Sequence, residues 1–256
     1  MKRWSVLVYG LVAYLIASAS VGYFALFLGN ILVPKSVDVG SSIGMEWAVA
    51  VDLALIILFG LQHSVMARPA FKAWWKRIVP EPIERSTYVL LSAVALALLC
   101  WLWQPIPAMI WNIANPLLRW IMHGISGAGA LLAMGSTFCI DHFDLMGLRQ
   151  VVAYWRGQPY RSCGFVTPGP YRYVRHPIML GILIAFWSTP TMSAGRLLLV
   201  AGMTVYILVA TQFEERDLVR EFGETYREYQ RRVWMLLPLP GATSASPPAA
   251  SGMAGS

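Results

Sequence analysis

An arginine, a histidine and two adjacent glutamates carry most of the chemistry open to this chain. Arg175-His176-Pro177 closes the polar segment Gly169-Pro170-Tyr171-Arg172-Tyr173-Val174, and Glu214-Glu215 follows after a long apolar stretch. Beyond the glutamates comes Phe222-Gly223-Glu224-Thr225-Tyr226-Arg227-Glu228-Tyr229. If the apolar stretch folds back on itself, both clusters arrive at one mouth, where they converge on a single charged ligand at a membrane surface. Two carboxylates abutting the end of a membrane helix are costly to bury alone and need cationic partners. Arg172, Arg175 and His176 are the nearest by topology. Arg175 offers a forked donor suited to a carboxylate and His176 a titratable one, while Pro177 opens a helix where its missing N–H is harmless. A ligand site and a purely structural ion-pair network both satisfy these residues.

The elements that must position them are membrane helices. Hydrophobic residues make up 57% of the chain and charged residues 13%, against roughly a quarter charged in a soluble domain. Apolar runs cover Ser5 to Val33, Trp47 to Ala67, Ser86 to Trp103, Ile121 to Ile140 and Ile178 to Phe213, the last interrupted by Ser188-Thr189-Pro190. A spanning helix needs about 20 residues, with a working range of roughly 17 to 25, so each of the first four spans once and the fifth makes a compact hairpin. The fold class is therefore all-α: a polytopic membrane bundle of five to six helices, six on the fullest count. The first run lacks a clean small-residue cleavage site and is read as helix one, not a signal peptide. Leu218, Phe222, Tyr226, Tyr229 and Val233 recur at three- or four-residue spacing, which predicts an amphipathic helix over Glu214 to Val233, broken at Gly223. A single membrane domain then covers residues 1–240. The Pro/Ala/Ser/Gly tail Gly241 to Ser256 lacks the apolar content to form a core and is expected to be disordered.

Charge orients the bundle. Seventeen of the twenty Lys/Arg fall at the N-terminus, in Arg68 to Arg85, in Asp141 to Pro177 and in Glu214 to Pro238, leaving Lys35, Arg119 and Arg196 for the other side. The positive-inside rule places both termini in the cytoplasm, in a bacterial inner membrane. The net charge of +7 suits anionic lipid headgroups and calls for no nucleic acid. Cys100, Cys139 and Cys163 form no close pair, so neither a metal site nor a disulfide framework is expected.

Two sets of motifs carry a family resemblance. Arg175-His176-Pro177-x-x-x-Gly181, then Glu214-Glu215-x-x-Leu218 and Phe222-Gly223-x-x-Tyr226-x-x-Tyr229, resemble the cofactor region of the isoprenylcysteine carboxyl methyltransferase and phospholipid methyltransferase superfamily over about Thr167 to Pro238. Met179 stands where many members have Tyr, so a hydroxyl contact from that position is not carried over. The upstream Gln62-His63-Ser64-Val65-Met66-Ala67-Arg68-Pro69, Glu84-Arg85-Ser86-Thr87-Tyr88 and Asp141-His142-Phe143-Asp144-Leu145-x-Gly147-Leu148 resemble NnrU-like proteins and methanethiol S-methyltransferases. Phe186-Trp187-Ser188-Thr189-Pro190-Thr191-Met192 is similar to the same group. The resemblance implies S-adenosylmethionine as cofactor, its amino acid and ribose portions held among Tyr173, Arg175, His176, Pro177, Gly181, Glu214, Glu215, Tyr226 and Tyr229. It also implies methylation of a small thiol, methanethiol to dimethyl sulfide.

Such a thiol must lose its proton, and simple alkyl thiols are weaker acids than Cys, whose pKa is about 8.5. Asp141, His142 and Asp144 follow directly after the fourth helix and are the preferred groups for deprotonating or orienting it, with His63 beside Gln62 second. His123 sits near the opposite end of its helix and receives no role. Asp52 lies near the outer end of helix two, where it is expected to accept a bond or pair. Two other readings stand beside this one: a prenylcysteine carboxylate or phospholipid amine as acceptor, and an accessory membrane protein binding haem through His63 and His142.

Overall fold

A computed structural model describes residues 2–161 and 164–237; Cys163 and the tail Gly241 to Ser256 lie outside that range. Five helices are long and apolar enough to cross a membrane: α1 (Arg3–Gly29), α2 (Met45–Ala67), α4 (Glu81–Leu102), α5 (Pro116–Ile140) and α9 (Ala194–Phe222). Short helices α3 (Pro69–Trp75), α6 (His142–Leu145), α7 (Leu148–Arg156) and α10 (Glu224–Arg232), with a 3-10 turn at Gly169–Arg172, gather at one end. The apolar α8 (Pro177–Trp187) has 11 residues, about 16 Å at 1.5 Å per residue, which is half a bilayer core. The expected hairpin is therefore unequal. Its first arm reaches the far end only with the extended residues after Trp187, which lead into β2 (Thr191–Ser193), paired antiparallel to β1 (Met109–Asn112).

Local signals set these boundaries. Pro116 and Pro177 occupy first helical turns, and the Asn115 and Ser193 side chains accept from the backbone N–H groups of Leu118 and Arg196, satisfying donors a helix start leaves unpaired. Helix α1 stops earlier than its apolar run, because Asn30 takes a left-handed φ of 55° that Asn tolerates better than most residues. Helix α9 instead outlasts its apolar run by nine residues, to Phe222. Gly223, at φ 58° and ψ −130°, breaks it from α10 as predicted.

The central core joins Phe27, Leu55, Leu99, Trp103, Leu199 and Met203 from α1, α2, α4 and α9. Helices α5 and α8 form a second unit in close backbone contact. A Cβ on Gly181 would lie 2.5 Å from Gly129 O and Ala133 N, so no side chain larger than hydrogen fits that crossing. The outward faces are apolar, as lipid requires: Trp101 is 76% exposed and Leu131 75%.

The two ends differ as the charge count predicts. At the basic end Arg68 pairs with Asp217 at 2.8 Å, joining α2 to α9. At the other end Asp38 accepts from Asn30, Ser193 and Arg196, Lys35 donates to Trp101 O, and buried Asp52 accepts from Gln104 N at 2.8 Å. The expected bond from Asp52 is present.

Candidate active site

Glu215 lies on the inner side of α9, 6% exposed, and five protein donors converge on it. Arg175 presents its fork, Nε at 2.9 Å from Oε1 and Nη2 at 3.1 Å from Oε2. His176 Nε2 stands 2.7 Å from Oε1, the Tyr226 hydroxyl donates to the same oxygen at 2.8 Å, and Gln230 donates to Oε2. The hairpin delivers Arg175 and His176 to the mouth from which α9 emerges. Gly223 turns the chain so that α10 brings Tyr226 and Gln230, one turn apart, back onto the carboxylate. The remaining Arg175 nitrogen donates to the carbonyls of Gln230 and Val233, while the Arg175 and His176 N–H groups donate to Trp234 O and Met235 O. Tyr229 donates to Tyr171 O, and Phe165 packs its ring against Phe222, Tyr226 and Tyr229. Burial and the Glu215 charge push the Tyr226 hydroxyl far above its ordinary pKa, so it stays a donor. The whole is a clasp closing the C-terminal segment over the end of the bundle.

Glu214 is left on the other side of that clasp. Its side chain is 46% exposed, and among the described residues the one basic group within ion-pair distance is His176 Nδ1, at 3.8 Å. Its charge reaches Tyr88, Tyr171 and Tyr206, three hydroxyls from three different elements. Tyr171, buried and near that charge, is held well above its ordinary pKa. Tyr206 lies two turns back along α9, its ring 6.5 Å from that of His63, which is stacked on Phe59 at 5.5 Å.

The His63 ring is held at both nitrogens. Nδ1 stands 3.1 Å from Ser92 Oγ, which itself donates to Tyr88 O at 2.9 Å. Nε2 stands 3.0 Å from the Tyr88 hydroxyl, which lies 3.2 Å from His63 O. Arg85 stands over the Tyr88 ring at 5.0 Å. An imidazole and two phenol hydroxyls thus cluster in the α2, α4 and α9 interior, within electrostatic reach of the Glu214 carboxylate.

Asp141, His142 and Asp144 are placed differently. His142 is 5% exposed, stacked on Phe138 at 4.3 Å, with Thr137 Oγ1 2.9 Å from Nδ1 and the Tyr14 hydroxyl 3.3 Å from Nε2. Burial holds its pKa below 6.5 although Asp141 opposes the shift. Asp141 caps α6 and pairs with Arg149, which with its backbone bonds outweighs burial and keeps its carboxyl below the usual range. Asp144 accepts from Gln150 and Tyr160. These three tie α5, α6 and α7 to α1, in a cluster separate from the Glu214 side. His63 and His142 also sit in separate clusters, each with both ring nitrogens engaged. Of the remaining predicted residues, Tyr173 is 73% exposed, Pro177 opens α8 and Gly181 makes the α5 crossing.

Sequence reasoning gave no role to Tyr88, Ser92, Tyr206 or Gln230, although Tyr88 ends one of the upstream motifs. Gln230 had a signal, four residues after Tyr226 on one helical face. The others stand on apolar helices whose facing the sequence does not reveal.

Residues 125–225 match the phospholipid methyltransferase family. The chain is 51% identical to a methanethiol S-methyltransferase of Mycobacterium tuberculosis, over 94% of this chain and 98% of that protein. It is 51% identical to methanethiol S-methyltransferase 2 of Bradyrhizobium diazoefficiens, over 92% and 91%, and 46% identical to a methanethiol S-methyltransferase of Crocosphaera subtropica, over 95% and 96%. No solved structure matches the chain.

Proposed function

The chain belongs to the methanethiol S-methyltransferase family, and from that membership we propose that it methylates methanethiol to dimethyl sulfide with S-adenosylmethionine as methyl donor. The observation that carries this reading is relatedness near 50% identity over almost the whole chain to enzymes of that name. The interior side of α9 offers the groups the reaction needs.

The residues present suit this donor, which bears a carboxylate, an ammonium and ribose hydroxyls. Glu215 has its oxygens taken by protein donors, so its part is to hold the clasp. Glu214, half exposed with only the His176 ring at 3.8 Å among the described residues, can accept from an ammonium or a hydroxyl, and Arg68 borders the same mouth. When bound, the donor supplies a methyl group on a cationic sulfur. Tyr206 meets the Phe59 and His63 rings edge to face, so aromatic rings line the interior side where that cation would lie.

In this reading His63 would take the thiol proton onto its imidazole, and the bound donor would supply its methyl group to the thiolate and leave as a neutral thioether. Opposite charges cancel as the bond forms, so a dry pocket carries no penalty, and aligning the two sulfurs supplies a large share of the rate. A small apolar thiol arrives through lipid, while the charged donor enters at the basic end, assigned to the cytoplasm by its seventeen Lys/Arg.

His63→Ala should lower turnover by about 100-fold or more while leaving donor affinity unchanged. Full turnover across pH in that variant would remove His63 from the mechanism.

A further inference from the structure

A second cluster of cations lies away from this site, on the flank of α1 beside α7. A cavity of about 430 Å³ opens there, lined by Arg149, Arg156 and Arg161 together with Phe143, Val152 and Tyr160, a size common for ligand sites. Gly157, in the left-handed conformation at φ 70°, turns the chain at the cavity edge, and the Arg3 guanidinium lies against it: a Cβ there would be 3.0 Å from Nη1. Four arginines from α1, α7 and the following loop therefore meet in one place. The acidic groups nearby are occupied, Asp141 by Arg149 and Asp144 by Tyr160 and Gln150. Among the described residues, Arg156 and Arg161 have no ion-pair partner.

The walls are apolar and they border the lipid-facing surface. Phe143 is 48% exposed and packs at right angles to Phe138, which is 56% exposed on α5. On α1, Trp4, Val8 and Val12 line an open apolar groove, and the Trp4 and Trp155 rings meet edge to face at 5.1 Å. Paired tryptophans next to clustered arginines mark the depth of lipid headgroups.

We propose that this cavity binds the phosphate of an anionic phospholipid, its acyl chains lying along the apolar flank of α1. Arginine forks match phosphate oxygens in pairs, and the apolar walls suit an amphiphile better than a free ion. The site is separate from the methyl-transfer residues, and no step of the reaction depends on it.

The test uses the purified full chain in mild detergent, with thermal unfolding followed as phosphatidylglycerol, phosphatidylcholine or inorganic phosphate is added. Phosphatidylglycerol should raise the midpoint while the other two leave it in place. The Arg156→Gln/Arg161→Gln variant, altered only at exposed positions, should bind phosphatidylglycerol on the order of tenfold more weakly and keep its turnover in phosphatidylcholine. Equal stabilisation by phosphatidylcholine or by inorganic phosphate, or an unchanged response in the variant, would overturn the proposal.

Discussion

Glu214 and Glu215 are neighbours in sequence with opposite surroundings, and stability and donor binding are expected to separate between them. Glu215 is buried with Arg175 at 10% side-chain exposure, and His176, Tyr226 and Gln230 complete its shell. Removing one member of such a pair leaves an uncompensated buried charge, at a cost of about 3 to 5 kcal/mol. Arg175→Met should therefore lower the unfolding midpoint markedly, read by thermal melts in detergent. Glu214→Gln should leave that midpoint in place and weaken S-adenosylmethionine binding by about 1.5 to 3 kcal/mol in calorimetry, the range for a hydrogen bond to a charged group. Unchanged affinity in Glu214→Gln would remove it from the donor site, and an unchanged melt in Arg175→Met would contradict the clasp. The sequence placed all four residues at one mouth. It did not reveal which carboxylate faces the protein, because adjacent positions on a helix differ by 100° in direction and the packing partner decides.

At the scale of elements, the hairpin is held by contact between backbones rather than by side-chain interdigitation. Gly129 and Gly181 meet where α5 crosses α8, with Ser126 Oγ donating to Ala185 O at 2.9 Å. Small residues are how membrane helices approach this closely. Gly181→Ala puts a methyl group 2.5 Å from backbone on α5, so the helices must separate, and a loss of about 1 to 3 kcal/mol is expected. A melt equal to wild type would show that the crossing is looser than drawn. Since α8 leads directly from Arg175-His176-Pro177, the same substitution should also reduce donor affinity. The break at Gly223 was legible because a glycine interrupts a regular apolar stripe. The end of the hairpin's first arm was legible too, at the Ser188-Thr189-Pro190 interruption, but the strand that follows it was not, because its partner β1 lies far away in the chain.

Across the whole molecule, composition and charge were enough to read a polytopic helical bundle with one basic end, because lipid enforces apolar outer faces and helical backbones. The interior was harder to read. His63 and His142 each stand beside polar residues in the sequence, and the expectation favoured His142 for its closeness in sequence to the donor region. In the fold His142 is engaged by Tyr14 and Thr137 in the cluster that ties α1 to α5, while His63 shares the interior of α2, α4 and α9 with Tyr88 and Tyr206. Sequence distance does not decide between the two histidines, because three helices far apart in the chain meet around His63. The central claim is that this pocket methylates a small thiol. Its most direct test is dimethyl sulfide in the headspace over membranes given S-adenosylmethionine and methanethiol, with Glu214→Gln as the folded control. Dimethyl sulfide from the wild type, with much less from the control at limiting donor, is the predicted result. No dimethyl sulfide from folded wild-type protein that binds S-adenosylmethionine would contradict it.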